Sequence, residues 1–191
     1  MSGGHGHGAV EGSNKIIALL ISVLALFLAL SETLGKSAQT DAISQNVEAS
    51  NLWAFFQAKT IRMTVVRTAG EHAELQRATL PEGAPAADAL AKRVDGWSKT
   101  AARWDSEPET GEGRKELAAR AKEAEKRRDT SLARYHHYEL GSAAFQIGIV
   151  LASAMLITGI AALAWVAAGL GVLGVGMTGI GLFAPHAVHL F

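Results

Sequence analysis

The feature that most constrains this chain is the absence of charge from two stretches. Ile16 to Leu30 and Ala143 to Ala184 contain no Lys, Arg, Asp or Glu, whereas the segment between them is densely charged. One bilayer crossing takes about 20 mostly apolar residues, so the second stretch, with 42 residues, is long enough for two crossings joined by a tight turn. The sequence predicts an all-α integral membrane protein with three transmembrane helices and, between the first and second, an elongated soluble domain resembling a helical hairpin or coiled coil.

The pattern of apolar runs and helix breakers sets the expected boundaries. Residues 1–14 are rich in Gly and His and are predicted to form a disordered tail. Three segments are predicted to be transmembrane helices: 15–35, 143–165 and 169–187. A turn is expected from Trp165 to Gly169. The soluble domain is predicted over 36–140, and its expected helices are about 36–78, 86–105 and 114–140, separated by breaks that contain Pro and Gly.

Small residues recur along the second and third predicted crossings. Helices in lipid associate through close backbone contact, which small residues permit. We therefore expect these two crossings to pack as a tight antiparallel hairpin. The residues predicted to form this contact are Gly148, Ala152, Gly159, Ala162, Ala167, Gly171, Gly174, Thr178 and Gly181.

Apolar side chains at helical spacing indicate how the soluble domain packs. Those expected to be buried in it are Trp53, Phe55, Phe56, Leu90, Val94, Trp97 and Trp104. A separate stripe along its first helix is predicted to face a partner helix: Ile43, Val47, Ala54, Ile61, Val65, Thr68 and Leu75. A surface for lipid or a partner protein at the aromatic cluster, and a ligand cage at the two later tryptophans, are the alternatives.

Glu32 is the candidate intramembrane polar site. A helix rising 1.5 Å per residue advances about 24 Å from Ile16 to Glu32, close to the edge of a 30 Å hydrocarbon core. An interfacial ion pair is expected with Lys36, at the i to i+4 spacing. An acidic residue at this depth also suits an ion or proton path, and the sequence leaves both interpretations open.

The composition of the chain argues against nucleic-acid binding, metal binding and catalysis. Eighteen basic and eighteen acidic residues cancel, so nucleic acid is not an expected partner. There is no Cys, and six of the seven histidines occur as three pairs: His5 and His7, His136 and His137, and His186 and His189. Two imidazoles are too few ligands for a defined metal site. No metal, cofactor or catalytic residue is therefore predicted, and the chain is not expected to be an enzyme.

Basic residues beside the crossings predict the orientation. The turn at the far side of the second crossing contains no basic residue. Four basic residues lie before the start of this crossing: Lys126, Arg127, Arg128 and Arg134. Because basic residues concentrate on the cytoplasmic side of a membrane, the soluble domain is predicted to lie in the cytoplasm. The N-terminus is then outside and the C-terminus inside.

Two stretches carry a resemblance to a known family: SETLGKSAQT, from Ser31 to Thr40, and ASNLWAFFQAKTIR, from Ala49 to Arg62. Together with the charged helical middle and the paired apolar segments at the C-terminus, they resemble a bacterial membrane family known only as a domain of unknown function, DUF4337. The resemblance covers most of the chain from Asn14 onward. It implies a protein of the bacterial inner membrane and supplies no activity, cofactor or catalytic residue.

The residue pattern favours a non-enzymatic, membrane-anchored helical scaffold or accessory subunit, because the distinctive residues are packing residues. The expected partners are the lipid bilayer and either further copies of the chain or a larger membrane complex. The alternative is a small ion or solute transport or channel component, in which Glu32, Thr158 or Thr178 would line the path.

Overall fold

A computed structural model describes the backbone of residues 7–188 and the side chains of residues 15–188. Within these residues the chain is all-helical and contains no strand. The four helices are α1 (His7–Ala78), α2 (Pro85–Asp105), α3 (Arg114–Thr158) and α4 (Ala161–Phe183). Three of them, α1, α3 and α4, are long and apolar enough to cross a membrane. The all-α fold class predicted from the sequence is thus confirmed.

Proline and glycine end the helices of the charged middle. Helix α1 ends at Ala78, and Pro81 and Gly83 follow in the connection, where Gly83 has a φ of 76°. Pro85 then opens α2, at a position where its missing N–H has no helical partner to lose. The connection from α2 to α3 contains Gly111 with a φ of 67°, a conformation that an L side chain disfavours.

Helix α1 begins earlier than the sequence pattern suggested. Its first residue is His7, so residues 7–14 are helical where a disordered tail was predicted. Adding residues to an existing helix costs far less free energy than nucleating one, and the apolar run from Ile16 supplies the nucleus. Residues 1–6 lie outside the described part of the chain.

The turn between the last two helices also differs from the prediction. It lies at Gly159 and Ile160, whereas Trp165 to Gly169 are inside α4. Gly159 adopts a φ of 73° and its N–H donates to the carbonyl oxygen of Met155, so it ends α3 in a left-handed cap. With 23 residues, α4 is about 35 Å long. The third apolar helix is therefore longer than the segment predicted for it.

The helices form two compact units, and α1 and α3 contribute to both. We call residues 44–127 the central unit. The remainder of the described chain, up to Ile43 and from Arg128 onward, is called the end unit. The central unit contains α2, and the end unit contains α4.

The buried face of α1 in the central unit is not the predicted apolar stripe. Its buried residues are Ala49, Leu52, Lys59, Met63, Gly70 and Ala73, spaced mainly by three, four or seven positions. The large members of the predicted stripe are exposed: Ile43, Val47, Ile61, Val65 and Leu75. The face that packs inward thus combines Leu52 and Met63 with small residues and one lysine, and the face of the predicted stripe is left uncovered.

Candidate functional site: the helix-packing surfaces

Glycines of α4 form the closest helix contacts of the end unit. A Cβ atom built on Gly174 would lie 2.6 Å from the ring of Phe145, and one on Gly171 would lie 2.7 Å from Leu24. At Gly181 the same atom would lie 2.9 Å from both His137 and Tyr138. Side chains of α1 and α3 therefore occupy the space that any larger residue would need.

Most of the predicted small-residue positions lie in this contact. Ala152 and Ala167 are fully buried, and a Cβ on Gly148 would lie 3.2 Å from Leu24 and 3.3 Å from the Ala167 carbonyl oxygen. Gly159 and Ala162 do not: both are exposed at the turn. Their assignment to the packed face followed from the misplaced turn, which shifted the expected start of α4.

A pair of hydroxyl groups joins all three helices of the end unit. Ser31 on α1 is fully buried and donates to the carbonyl oxygen of Tyr138 on α3 at 2.9 Å. Its oxygen lies 3.2 Å from that of Thr178, whose hydroxyl donates to Gly174 on α4. Gly141 leaves room for this pair, since a Cβ there would lie 2.7 Å from the Thr178 hydroxyl oxygen. Sequence reasoning missed Ser31 and Gly141.

Two histidines hold the chain after α4 against α3. His137 is 1% exposed and its Nε2 lies 3.2 Å from the carbonyl oxygen of Pro185. The Nε2 of His186 lies 3.1 Å from the Thr130 hydroxyl oxygen. His189 lies outside the described residues. The two described pairings are hydrogen bonds between elements, and such bonds stabilise the end unit.

Glu32 lies on the exposed side of the end unit. Its carboxylate accepts a hydrogen bond from Gln146 at 3.1 Å. Among the described side chains it forms no ion pair with Lys36, contrary to the sequence prediction. It instead borders a cleft of about 320 Å³ whose polar lining includes Lys36, Tyr135 and Glu139. Glu32 therefore bonds to a residue of α3 and does not pair within α1.

The central unit is packed around an apolar cluster between α1 and α3. Ala49 and Leu52 meet Leu117, Ala121 and Ala124, which are fully buried. Trp53 and Phe56 pack against this cluster, with their rings edge to face at 5.4 Å. The Trp53 indole N–H donates to Glu125 at 2.8 Å, so the half-buried ring keeps its polar contact.

Lys59 is a buried cation in this otherwise apolar face. Its Nζ lies 3.7 Å from Glu107 and 3.9 Å from Glu112, both in the connection between α2 and α3. It also lies 5.3 Å from the ring centroid of Phe55, which is itself exposed. Sequence reasoning missed Lys59, because a lysine on a helix is usually solvated. Its spacing of seven positions from Leu52 was the available signal.

The same connection is fixed by Glu116 and Arg114 at the start of α3. The Ser106 hydroxyl donates to the Glu116 carboxylate at 2.7 Å and the Glu107 backbone N–H donates to it at 3.1 Å. These bonds lower the pKa of the Glu116 carboxyl, because they stabilise its charged form. Arg114 pairs with Asp105 at 3.1 Å. These charged groups hold the connection between α2 and α3 in place.

The residues of α2 that were predicted to be buried are only partly covered. Leu90, Val94, Trp97 and Trp104 are half-buried, while Ala101 is buried. Arg93 lies over the Trp97 ring at 5.9 Å. Val94 and Trp97 also line an open cleft of about 360 Å³ against α1.

A profile of a known family spans almost all of this architecture. The domain of unknown function DUF4337 matches residues 13–184, from near the start of α1 to the residue after α4. The chain belongs to the DUF4337 family. No curated protein and no solved structure matches it.

The match confirms the resemblance found in the sequence and extends it. In this DUF4337 chain the matched range includes α2 and its two connections. Across residues 15–188, no three His, Asp or Glu side chains are grouped so that they could hold a metal ion. The residues with the most defined geometry are those that pack helices together.

Proposed function

We propose that this protein is a non-enzymatic, membrane-anchored helical scaffold or accessory subunit that associates with copies of itself or with a larger membrane complex. The observation that carries the proposal is the contact at Gly171, Gly174 and Gly181, where helices approach too closely for any side chain. Such contacts are typical of helices packed in lipid. They make a rigid anchor for the charged helical unit that follows on the same helices.

The proposed setting is the bacterial inner membrane, with the central unit in the cytoplasm. Three helices of sufficient length and hydropathy support a multi-pass arrangement. The exposed apolar side chains of the end unit, such as Leu19, Leu26 and Phe183, suit contact with lipid. Basic residues at the start of the second crossing, including Arg128 and Arg134, support the cytoplasmic placement.

Cysteine labelling tests the topology, because the chain has no thiol of its own. Ser98→Cys lies on the exposed surface of α2 and Ala161→Cys at the exposed start of α4. In intact spheroplasts an impermeant maleimide should label Ala161→Cys, while Ser98→Cys should react only after lysis. Labelling of both before lysis, or recovery of the intact chain in the soluble fraction without detergent, would contradict the proposal.

Association is tested by amine cross-linking in native membranes, followed by mass spectrometry of the products. The scaffold proposal expects one or more defined products larger than the monomer. A monomer as the sole product, together with a single monomeric species in mild detergent, would count against any scaffold role.

A small transport or channel component is the second candidate, and the cleft beside Glu32 favours it. Glu32, Lys36 and Glu139 place charged groups around an open cleft in a unit rich in apolar surface. The candidate expects cation flux into liposomes that carry the purified chain. Glu32→Gln should reduce that flux, with Glu48→Gln as a matched exposed control on the same helix. Equal flux in both variants removes Glu32 from the path.

A further inference from the structure

The outward face of α1 in the central unit contains several large apolar side chains that are uncovered. Val47, Ile61, Val65 and Leu75 are 53%, 64%, 62% and 70% exposed. In the end unit, lipid explains exposed apolar side chains. The central unit is flanked by charged residues and expected to lie in water, where a run of exposed large apolar residues marks an interaction surface.

This face has the spacing of a coiled-coil seam. Its positions alternate in steps of three and four, and none of the ten carries Lys, Arg, Asp or Glu. All are exposed except Ala58, which is half-buried. The a positions are Ser44, Asn51, Ala58, Val65 and His72, and the d positions are Val47, Ala54, Ile61, Thr68 and Leu75. We call this set the outer seam.

The outer seam is separate from the contacts that fold the central unit. Helix α1 packs inward through Ala49, Leu52, Lys59 and Met63, which fall at b and f of the same heptad count and so lie on the other side of the helix. A second helix can therefore lie along the outer seam without displacing any intramolecular contact.

We propose that the outer seam binds the same seam of a second copy, as a parallel, in-register coiled-coil dimer. The inference rests on the proposed function, since two copies anchored in one membrane with the same orientation have α1 helices that run in the same direction and begin at the same depth. Identical residues then meet at the same height. Such a seam is formed mainly by apolar residues at a and d. The outer seam is apolar at four of its five d positions and at Ala58 and Val65 among its a positions, while Ser44, Asn51, Thr68 and His72 are polar.

Asn51 supports this occupant. It is the one Asn at an a position of the outer seam and it is exposed. A single Asn at an a position lets two parallel helices hydrogen-bond across the interface, and so selects a two-stranded, in-register pairing. In a contact with lipid the same amide would be left without a partner.

The flanking charges are complementary in the same arrangement. Counting the heptads back from the outer seam places Lys36 at g and Asp41 at the following e position. In parallel helices the g position of one copy faces the next e position of the other, so each copy contributes one attractive pair. Within the central unit the g and e positions bring no two like charges together.

Disulfide cross-linking in native membranes tests the proposal. Val47→Cys and Ile61→Cys introduce single thiols at d positions, and Arg67→Cys introduces one at an exposed position of α1 off the seam. Only a parallel, in-register pair brings identical residues close enough for a disulfide at two separate positions of the seam. The oxidised dimer should form at Val47→Cys and Ile61→Cys at a yield about tenfold above that of Arg67→Cys.

Three outcomes would overturn the proposal. The first is a maleimide-reactive thiol at both seam positions with no dimer above the Arg67→Cys level. The second is a disulfide product with a different protein, which assigns the seam to another partner. The third is cross-linking only in a mixture of Val47→Cys with Ile61→Cys, which shows a staggered or antiparallel pairing.

Substitutions at the seam give an independent readout. Val65→Glu places two carboxylates against each other in a dimer, and should reduce co-purification of two differently tagged copies about tenfold or more; Arg67→Glu should leave it unchanged. Asn51→Leu should keep the copies associated and add species larger than the dimer. Unchanged co-purification in Val65→Glu, with native helix content, would contradict the proposal.

The two proposals fail in different ways. If amine cross-linking finds defined complexes but the seam thiols do not join, the scaffold proposal stands and the outer-seam dimer is wrong. If neither method finds any product larger than the monomer, both are wrong.

Discussion

The two units pack the same two long helices by different means. In the end unit, α1 and α3 meet α4 through glycines and one buried hydroxyl pair. In the central unit, the contact is a cluster of Leu and Ala with a buried lysine beside it. In water, the burial of large apolar groups stabilises a fold. In lipid this burial gives no such gain, and helices associate mainly through close backbone packing. This contrast supports the proposed lipid setting of the end unit and the proposed aqueous setting of the central unit.

The largest expected effect is at the buried cation. Lys59→Glu places a third carboxylate beside Glu107 and Glu112, and should lower the free energy of unfolding by about 3 to 5 kcal/mol. Lys59→Met keeps the volume and removes the charge, and should change it by about 1 kcal/mol or less, because both acids retain access to water. Urea unfolding in detergent, followed by tryptophan fluorescence, measures both.

The apolar cluster of the central unit gives the next effect. Leu117→Ala leaves a cavity at a fully buried position and should cost about 2 to 5 kcal/mol. The fluorescence signal suits this test, since three of the four tryptophans lie in the central unit. Leu132→Ala, at a half-exposed position of the end unit, should cost less than half as much. Equal losses would show that the central cluster is not the main source of stability.

The end unit should instead be sensitive to added volume. Gly174→Val pushes a side chain into the Phe145 ring, and should destabilise the helix contact by about 1 to 3 kcal/mol. Gly176→Val changes helix propensity equally but has no atom within 4 Å of the added Cβ. Thermal unfolding in detergent, followed by circular dichroism, should separate the two variants. The same midpoint for both would contradict a close glycine contact.

The smallest effect is the pH dependence at Glu116. Its folded-state pKa lies below the ordinary value of 4.5, so its contribution to stability is present above that value and is lost as the pH falls through the lowered pKa. Glu116→Gln should remove this contribution. The urea midpoint of the variant should therefore fall less than that of the native chain between neutral pH and about pH 3. Parallel decreases would assign the acid sensitivity to other carboxyls.

The helices themselves were predictable from local chemistry. Pro81, Gly83 and Pro85 mark the break before α2, and the charge-free runs mark the apolar helices. The turn after α3 was placed six residues late because Trp165 suggested an interface, whereas the left-handed Gly159 determines where the chain reverses. In an unbroken apolar run of 42 residues, hydropathy does not locate such a turn.

The sequence predicted that small residues pack the apolar helices together, but it identified only some of the residues in these contacts. Gly171, Gly174 and Gly181 follow from their spacing, since helical periodicity puts them on one face. Ser31 and His137 do not follow from any local pattern. Their partners, Tyr138 on α3 and Pro185 after α4, lie more than forty positions away in sequence, and a single sequence contains no distance information at that range.

The sequence by itself determined that the chain is helical, where its charge is excluded and which helices are long enough to cross a membrane, because these depend on composition and on breakers within a few residues. Only the tertiary structure decided which face of α1 is buried. Two faces of that helix have coiled-coil spacing, and both contain large apolar side chains. Packing against α3 buries the face of Ala49 and Leu52, because the fit between two helices depends on the side chains of both of them.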